Sequence, residues 1–111
     1  MESIRTPSRQ ELNLIKLLVH KAARILPLNW ESDLKVRSLQ DGGMGSLLLF
    51  PKGIFVEDRK FGERISEYHF RDVDGVDVIV SLNFDTKGEL FELDVWKTDF
   101  SPLSHLPNKL Q

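Results

Sequence analysis

Residues 89–103 constrain this chain more than any other stretch. Apolar and charged side chains alternate along most of it, the period-2 pattern of a strand with one buried face. Phe91, Leu93 and Val95 fall on one side, and Glu92, Asp94 and Trp96 on the other. Two carboxylates in line with a tryptophan give it the most distinctive surface chemistry of the chain.

Residues 64–71 and 76–84 also read as strands, and the links Asp72-Val73-Asp74-Gly75 and Asp85-Thr86-Lys87-Gly88 have turn composition. Register follows, because a one-residue slip turns every side chain to the other face. Opposing Leu82 to Phe91, Val80 to Leu93 and Val78 to Val95 makes one face wholly apolar and implies a four-residue loop, 85–88. Opposing Phe70 to Val78 and Tyr68 to Val80, with Gly75 left-handed in a three-residue loop, agrees with it.

The outer face is then determined. It carries Ile65, Glu67, His69 and Arg71, then Asp77, Ile79, Ser81 and Asn83, then Leu90, Glu92, Asp94 and Trp96. Arg71 should oppose Asp77 as an ion pair, with Trp96 on the other side of Asp77. His69 should oppose Ile79, with Asp94 beyond. The expected surface is a mixed patch with an acidic bias, centred on Ile79 and flanked by Trp96. Trp96 is either covered by the Trp30 loop or an interface anchor.

The N-terminal half supplies the cover. Residues 1–7 read as an arm. Thr6 with Pro7, or Ser8 with Glu11 as a capping box, can start a helix. Leu12, Ile15, Val19, Ala22, Ala23 and Leu26 form an apolar stripe, and Pro27 ends the helix near Ile25 or Leu26. Lys16, His20, Lys21 and Arg24 suit the negative end of its dipole better than a nucleic-acid patch. Residues 34–39 and 46–50 are short strands joined by Asp41-Gly42-Gly43-Met44-Gly45-Ser46, a turn that lacks the ending of a phosphate-binding loop. Residues 54–56 can form a short edge strand beside the charged run Glu57-Asp58-Arg59-Lys60. The tail, from 104, should pack along the sheet edge. The fold expected is α+β: an N-terminal helix on one face of an antiparallel meander of four or five strands, in a single domain.

Composition narrows the function. The chain has 111 residues, 41% hydrophobic and 29% charged, enough for one core. Cysteine is absent, which removes disulfides, thiolate nucleophiles and cysteine metal sites, and fits a reducing cytoplasm. No secretory signal or membrane-length apolar run is present. A net charge of −2 argues against a general nucleic-acid binder. His69, Ser81 and Asp94 are triad residue types. His69 and Asp94, however, flank the middle strand roughly 9.5 Å apart, and nothing supplies an oxyanion hole. Glu92 and Asp94 lie on an open face without a cleft for carboxylate catalysis. No ligand motif marks Glu92, Asp94, Asp77 and His69 as a metal site. No catalytic residue and no cofactor is expected.

Asp41-Gly42-Gly43-Met44-Gly45-Ser46-Leu47, Asp74-Gly75-Val76 and, most specifically, residues 88–103 resemble a family of small uncharacterised bacterial proteins. The resemblance runs from about residue 8 to the tail and implies no activity. Small acidic α+β proteins of this kind are often immunity proteins encoded beside toxins, an analogy of size and fold alone.

The expected function is non-enzymatic protein binding, as an immunity protein against a basic, nuclease-like toxin. Glu67, Asp77, Glu92, Asp94 and Trp96 form the contact set. The alternatives are a small-ligand binder or enzyme using His69, Arg71 and Asp94, and a structural homodimer using the same face. A deep pocket over that face favours the ligand binder, a flat face the protein binder.

Overall fold

The computed structural model describes residues 3–56 and 58–107. Glu57 of the charged run and the ends of the arm and tail lie outside the described residues. The order of elements is α1 (Arg9–Ala22), α2 (Trp30–Asp33), β1 (Lys35–Ser38), β2 (Leu47–Phe50), a 3-10 turn (Pro51–Gly53), β3 (Phe61–Arg71), β4 (Asp77–Asp85) and β5 (Leu90–Lys97). The five strands form one antiparallel sheet in the order β1-β2-β5-β4-β3. The α+β architecture is the expected one. The β3–β4–β5 meander is joined through β5 to the β1–β2 pair.

Ser8 starts α1. Its hydroxyl accepts from the Glu11 N–H at 3.1 Å, and the Glu11 carboxylate accepts from the Ser8 N–H at 2.8 Å. Arg5 pairs with Glu11 at 2.7 Å and its backbone bridges to Val36, so the arm adds itself to the β1 edge. The helix stops at Ala22, earlier than Pro27 suggested. Ala23 adopts the left-handed conformation (φ 54°) and its N–H donates to the His20 carbonyl. Ala23 is therefore exposed rather than part of the buried stripe, and Ile25 beyond it is exposed as well. Leu14, Ile15, Leu18 and Val19 of α1 pack with Val78, Val80, Leu82, Leu93 and Val95 of the sheet as the core.

The β3–β4 hairpin has the expected register from Ser66 to Arg71, with Phe70 opposite Val78, Tyr68 opposite Val80 and Arg71 opposite Asp77. A bulge at Ile65 brings Arg64 opposite Asn83, so Arg64 takes the outer-face place expected of Ile65, which packs toward the core instead. The β4–β5 hairpin differs by two residues: Val78 faces Lys97, Val80 faces Val95 and Leu82 faces Leu93. Two local causes account for this. The Asp85 carboxylate accepts from the N–H groups of Lys87 and Glu89, widening the loop so that Phe84 meets Leu90. A bulge then leaves Phe91 without a partner before Glu92 meets Asn83. An even slip preserves the faces from Glu92 onward. It reverses Leu90, which enters the core at 3% exposure instead of facing out.

Residues 54–56 form no strand and are exposed. Arg59 closes the segment that follows. Its guanidinium donates to Asp85, to the Leu49 carbonyl and to the Leu90 carbonyl, filling the gap where β2 and β5 diverge, and it lies over the Phe91 ring. The tail crosses the end of the sheet. Pro102 packs against left-handed Gly43, where an added Cβ would sit 3.3 Å from the Pro102 Cβ.

Candidate functional site

The outer face is built in rows, because opposed residues of antiparallel strands share a face. Arg64, Asn83, Glu92, Leu48 and Arg37 make the first row. Glu67, Ser81 and Asp94 make the second, and His69, Ile79 and Trp96 the third. Arg71 and Asp77 end the face, paired at 3.3 Å. Trp96 thus opposes Ile79 and not Asp77, and Asp94 opposes Ser81 and not Ile79. Both differences follow from the two-residue slip in β4–β5.

The expected contact residues Glu67, Asp77, Glu92, Asp94 and Trp96 all lie on this face, but their charges are unequal in availability. Glu67 is engaged by Arg64 at 3.0 Å and by His69 at 2.7 Å, and the His69 hydrogen bond holds its carboxyl below the usual range. Asp77 is answered by Arg71. Glu92 accepts from the Asn83 amide at 3.1 Å. Burial pushes its carboxyl up, and the neighbouring Asp94 charge adds to the rise. Asp94 is exposed and has no ion pair or hydrogen bond among the described residues. The acidic bias is therefore concentrated at one carboxylate.

Aromatic surface is the larger feature. The Trp96 and Phe100 rings lie 6.2 Å apart between centroids, tilted by 51°. They remain 40% and 69% exposed. Trp30 does not cover them. It packs on the helix side of the sheet, against the core. On the β1–β2 side the chain covers the face itself, where Phe55 stacks on Phe50 and Arg37 lies over both rings. Toward the far edge an open depression lies beside His69, Arg71, Asp77, Ile79 and Thr98. His69 is turned to Glu67, so His69, Ser81 and Asp94 form no relay. Among the described residues no group of three or more His, Cys, Asp or Glu side chains is placed to hold a metal ion, and no helix is long and apolar enough to cross a membrane.

A family model described as a domain of unknown function, DUF6984, matches residues 4–107. The chain belongs to the DUF6984 family. No curated protein and no solved structure matches it. The span matched to DUF6984 takes in every helix and strand, so the outer face lies wholly within that domain.

Phe100 was missed by strand reasoning because it lies beyond β5. It comes back to Trp96 through a tight turn in which its N–H donates to the Lys97 carbonyl, with its own φ at 64°. Lys97 was also missed as a structural residue. The alternation that puts Leu93 and Val95 inside puts Lys97 inside as well, and that signal was legible.

Proposed function

We propose that this domain is a non-enzymatic protein-binding module that uses the outer face of its sheet. The observation that carries this is the exposed Trp96–Phe100 pair on an uncovered face, with Ile79 beside it. Exposed paired aromatics on an open face are the residues that dominate binding energy when a partner desolvates them. Asp94 lies one row away as an unanswered charge. Glu67, Asp77 and Glu92 act at the rim, where charge sets orientation and association rate more than affinity.

In its finer form, the partner is a basic protein domain such as a nuclease-like toxin, and this chain is its immunity protein in the cytoplasm. Support for that form is the free Asp94 carboxylate and the lack of cysteine. The test is affinity capture from the cell of origin with mass spectrometry, comparing the wild type with W96A/F100A and with D94N. A partner held by the wild type should be lost with W96A/F100A and released faster by salt with D94N. Capture unchanged by W96A/F100A overturns the reading. A concentration-dependent doubling of mass that W96A/F100A removes assigns the face to a second copy instead.

A further inference from the structure

A cavity lies away from the outer face, at the end of the sheet opposite Lys97. Because α1 stops at Ala22, the following loop arches toward the β4–β5 turn and leaves a space of about 220 Å³. Leu26, Trp30, Leu34, Pro51 and Leu90 are among its walls. Ile25 and Leu28 also line it, yet they are 99% and 92% exposed. Two branched apolar side chains left in water at the mouth of an apolar cavity would be covered by an occupant.

The polar lining indicates what kind of occupant. Asp33, Glu89 and Lys52 line the same space, and none of their side chains has a hydrogen bond or ion pair among the described residues. Two carboxylates against one ammonium leave a net negative charge at the mouth. If Lys52 pairs with one carboxylate, the other still lacks a counter-ion. The indole of Trp30 adds a wall that attracts cations as well as apolar groups.

We propose that this cavity binds a small organic ammonium, an aromatic ring or branched aliphatic group carrying an amine. Size supports this, since an apolar cavity of roughly 150 Å³ accommodates benzene. The space here takes a ring with a short amine-bearing arm, the ring against Trp30, Leu34 and Leu90 and the amine at Asp33 and Glu89. Occupancy covers Ile25 and Leu28. The site is separate from the protein-binding face and stands or falls independently of it.

The test uses the W96F variant, so that Trp30 is the sole tryptophan, titrated at pH 7 with 2-phenylethylamine and, in parallel, with 3-phenylpropionate. The amine should change Trp30 emission saturably in the millimolar range and shift the amide resonances of Leu28, Leu34, Gly88 and Leu90. The carboxylate should bind about fivefold more weakly. D33N/E89Q, both surface changes, should keep the melting temperature and abolish the preference. Absence of saturation, equal binding of the two probes, or shifts confined to the outer face would each overturn the proposal. So would a concentration-dependent mass that buries Ile25 and Leu28, which gives the mouth to a second copy.

Discussion

The Lys97 ammonium lies 2.8 Å from Oδ2 of Asp72, and each side chain is only 1% exposed. Asp74 approaches the same ammonium at 2.6 Å, and the Pro102 carbonyl accepts from it at 3.1 Å. Asp72 also accepts from the N–H groups of Ser104 and Val73. One cluster thus pins the end of β5, the β3–β4 turn and the tail.

Breaking this pair by D72A leaves the buried ammonium only Asp74 and the Pro102 carbonyl. We expect the melting temperature to fall by more than about 10 °C, measured by circular dichroism. An unchanged melting temperature would show the cluster to be dispensable.

The same pair gives a pH dependence. Burial opposes the Asp72 charge, but Lys97 and the two N–H donors override it and hold the carboxyl well below its ordinary value of 3.8. The unfolded chain therefore takes up this proton first as pH falls. Stability from Asp72 is complete above about pH 4 and is lost progressively below it as pH moves toward the folded-state value. Denaturant titrations between pH 5 and 2 should show a shallower decline in D72N than in the wild type.

Glu92 has the opposite sign. Burial and Asp94 raise its carboxyl above the ordinary 4.5, so its charge opposes folding at neutral pH and the cost vanishes once both states are protonated. E92Q keeps an acceptor for Asn83 and removes the charge. Its melting temperature should exceed the wild type's at pH 7 by about 2 °C, a modest gain because the group is only partly buried. The difference should close at pH 4, and a larger gain in acid would refute the assignment.

Arg59 is the wedge between β2 and β5. Its side chain is 9% exposed and that of Asp85 is 3%. R59M should destabilise the fold by roughly 3–5 kcal/mol, since it removes the counter-ion of a buried carboxylate, leaving it only the Lys87 and Glu89 N–H groups, and takes the Arg59 donors from two strand carbonyls. Hydrogen exchange should quicken first at the β2–β5 junction. A loss below about 1 kcal/mol would assign Arg59 to the surface.

Ala23 ends α1 in a conformation that glycine adopts without strain. A23G should raise stability by about 1 kcal/mol by urea titration. A decrease would mean that the alanine methyl contributes packing at the helix end.

The sequence by itself determined the α+β class, the Ser8 capping box, the β3–β4 register from Ser66 to Arg71 and the residues of the outer face from Glu92 onward. These depend on period, caps and turns, which are local. Only the tertiary structure decided the β4–β5 slip, the entry of Leu90 into the core, and the pairing of Trp96 with Ile79 and Phe100. The slip and the Leu90 reversal arise where Asp85 reshapes its loop and a bulge follows, and Phe100 reaches Trp96 through a turn beyond β5. Asp85 reshapes its loop while Arg59, 26 residues earlier, ties it to β2. Alternation turns Lys97 inward, and Asp72, 25 residues earlier, answers its charge there. Alternation assigns a face to each residue of a strand, but the loop and the bulge between two strands choose which residue of the next strand it meets.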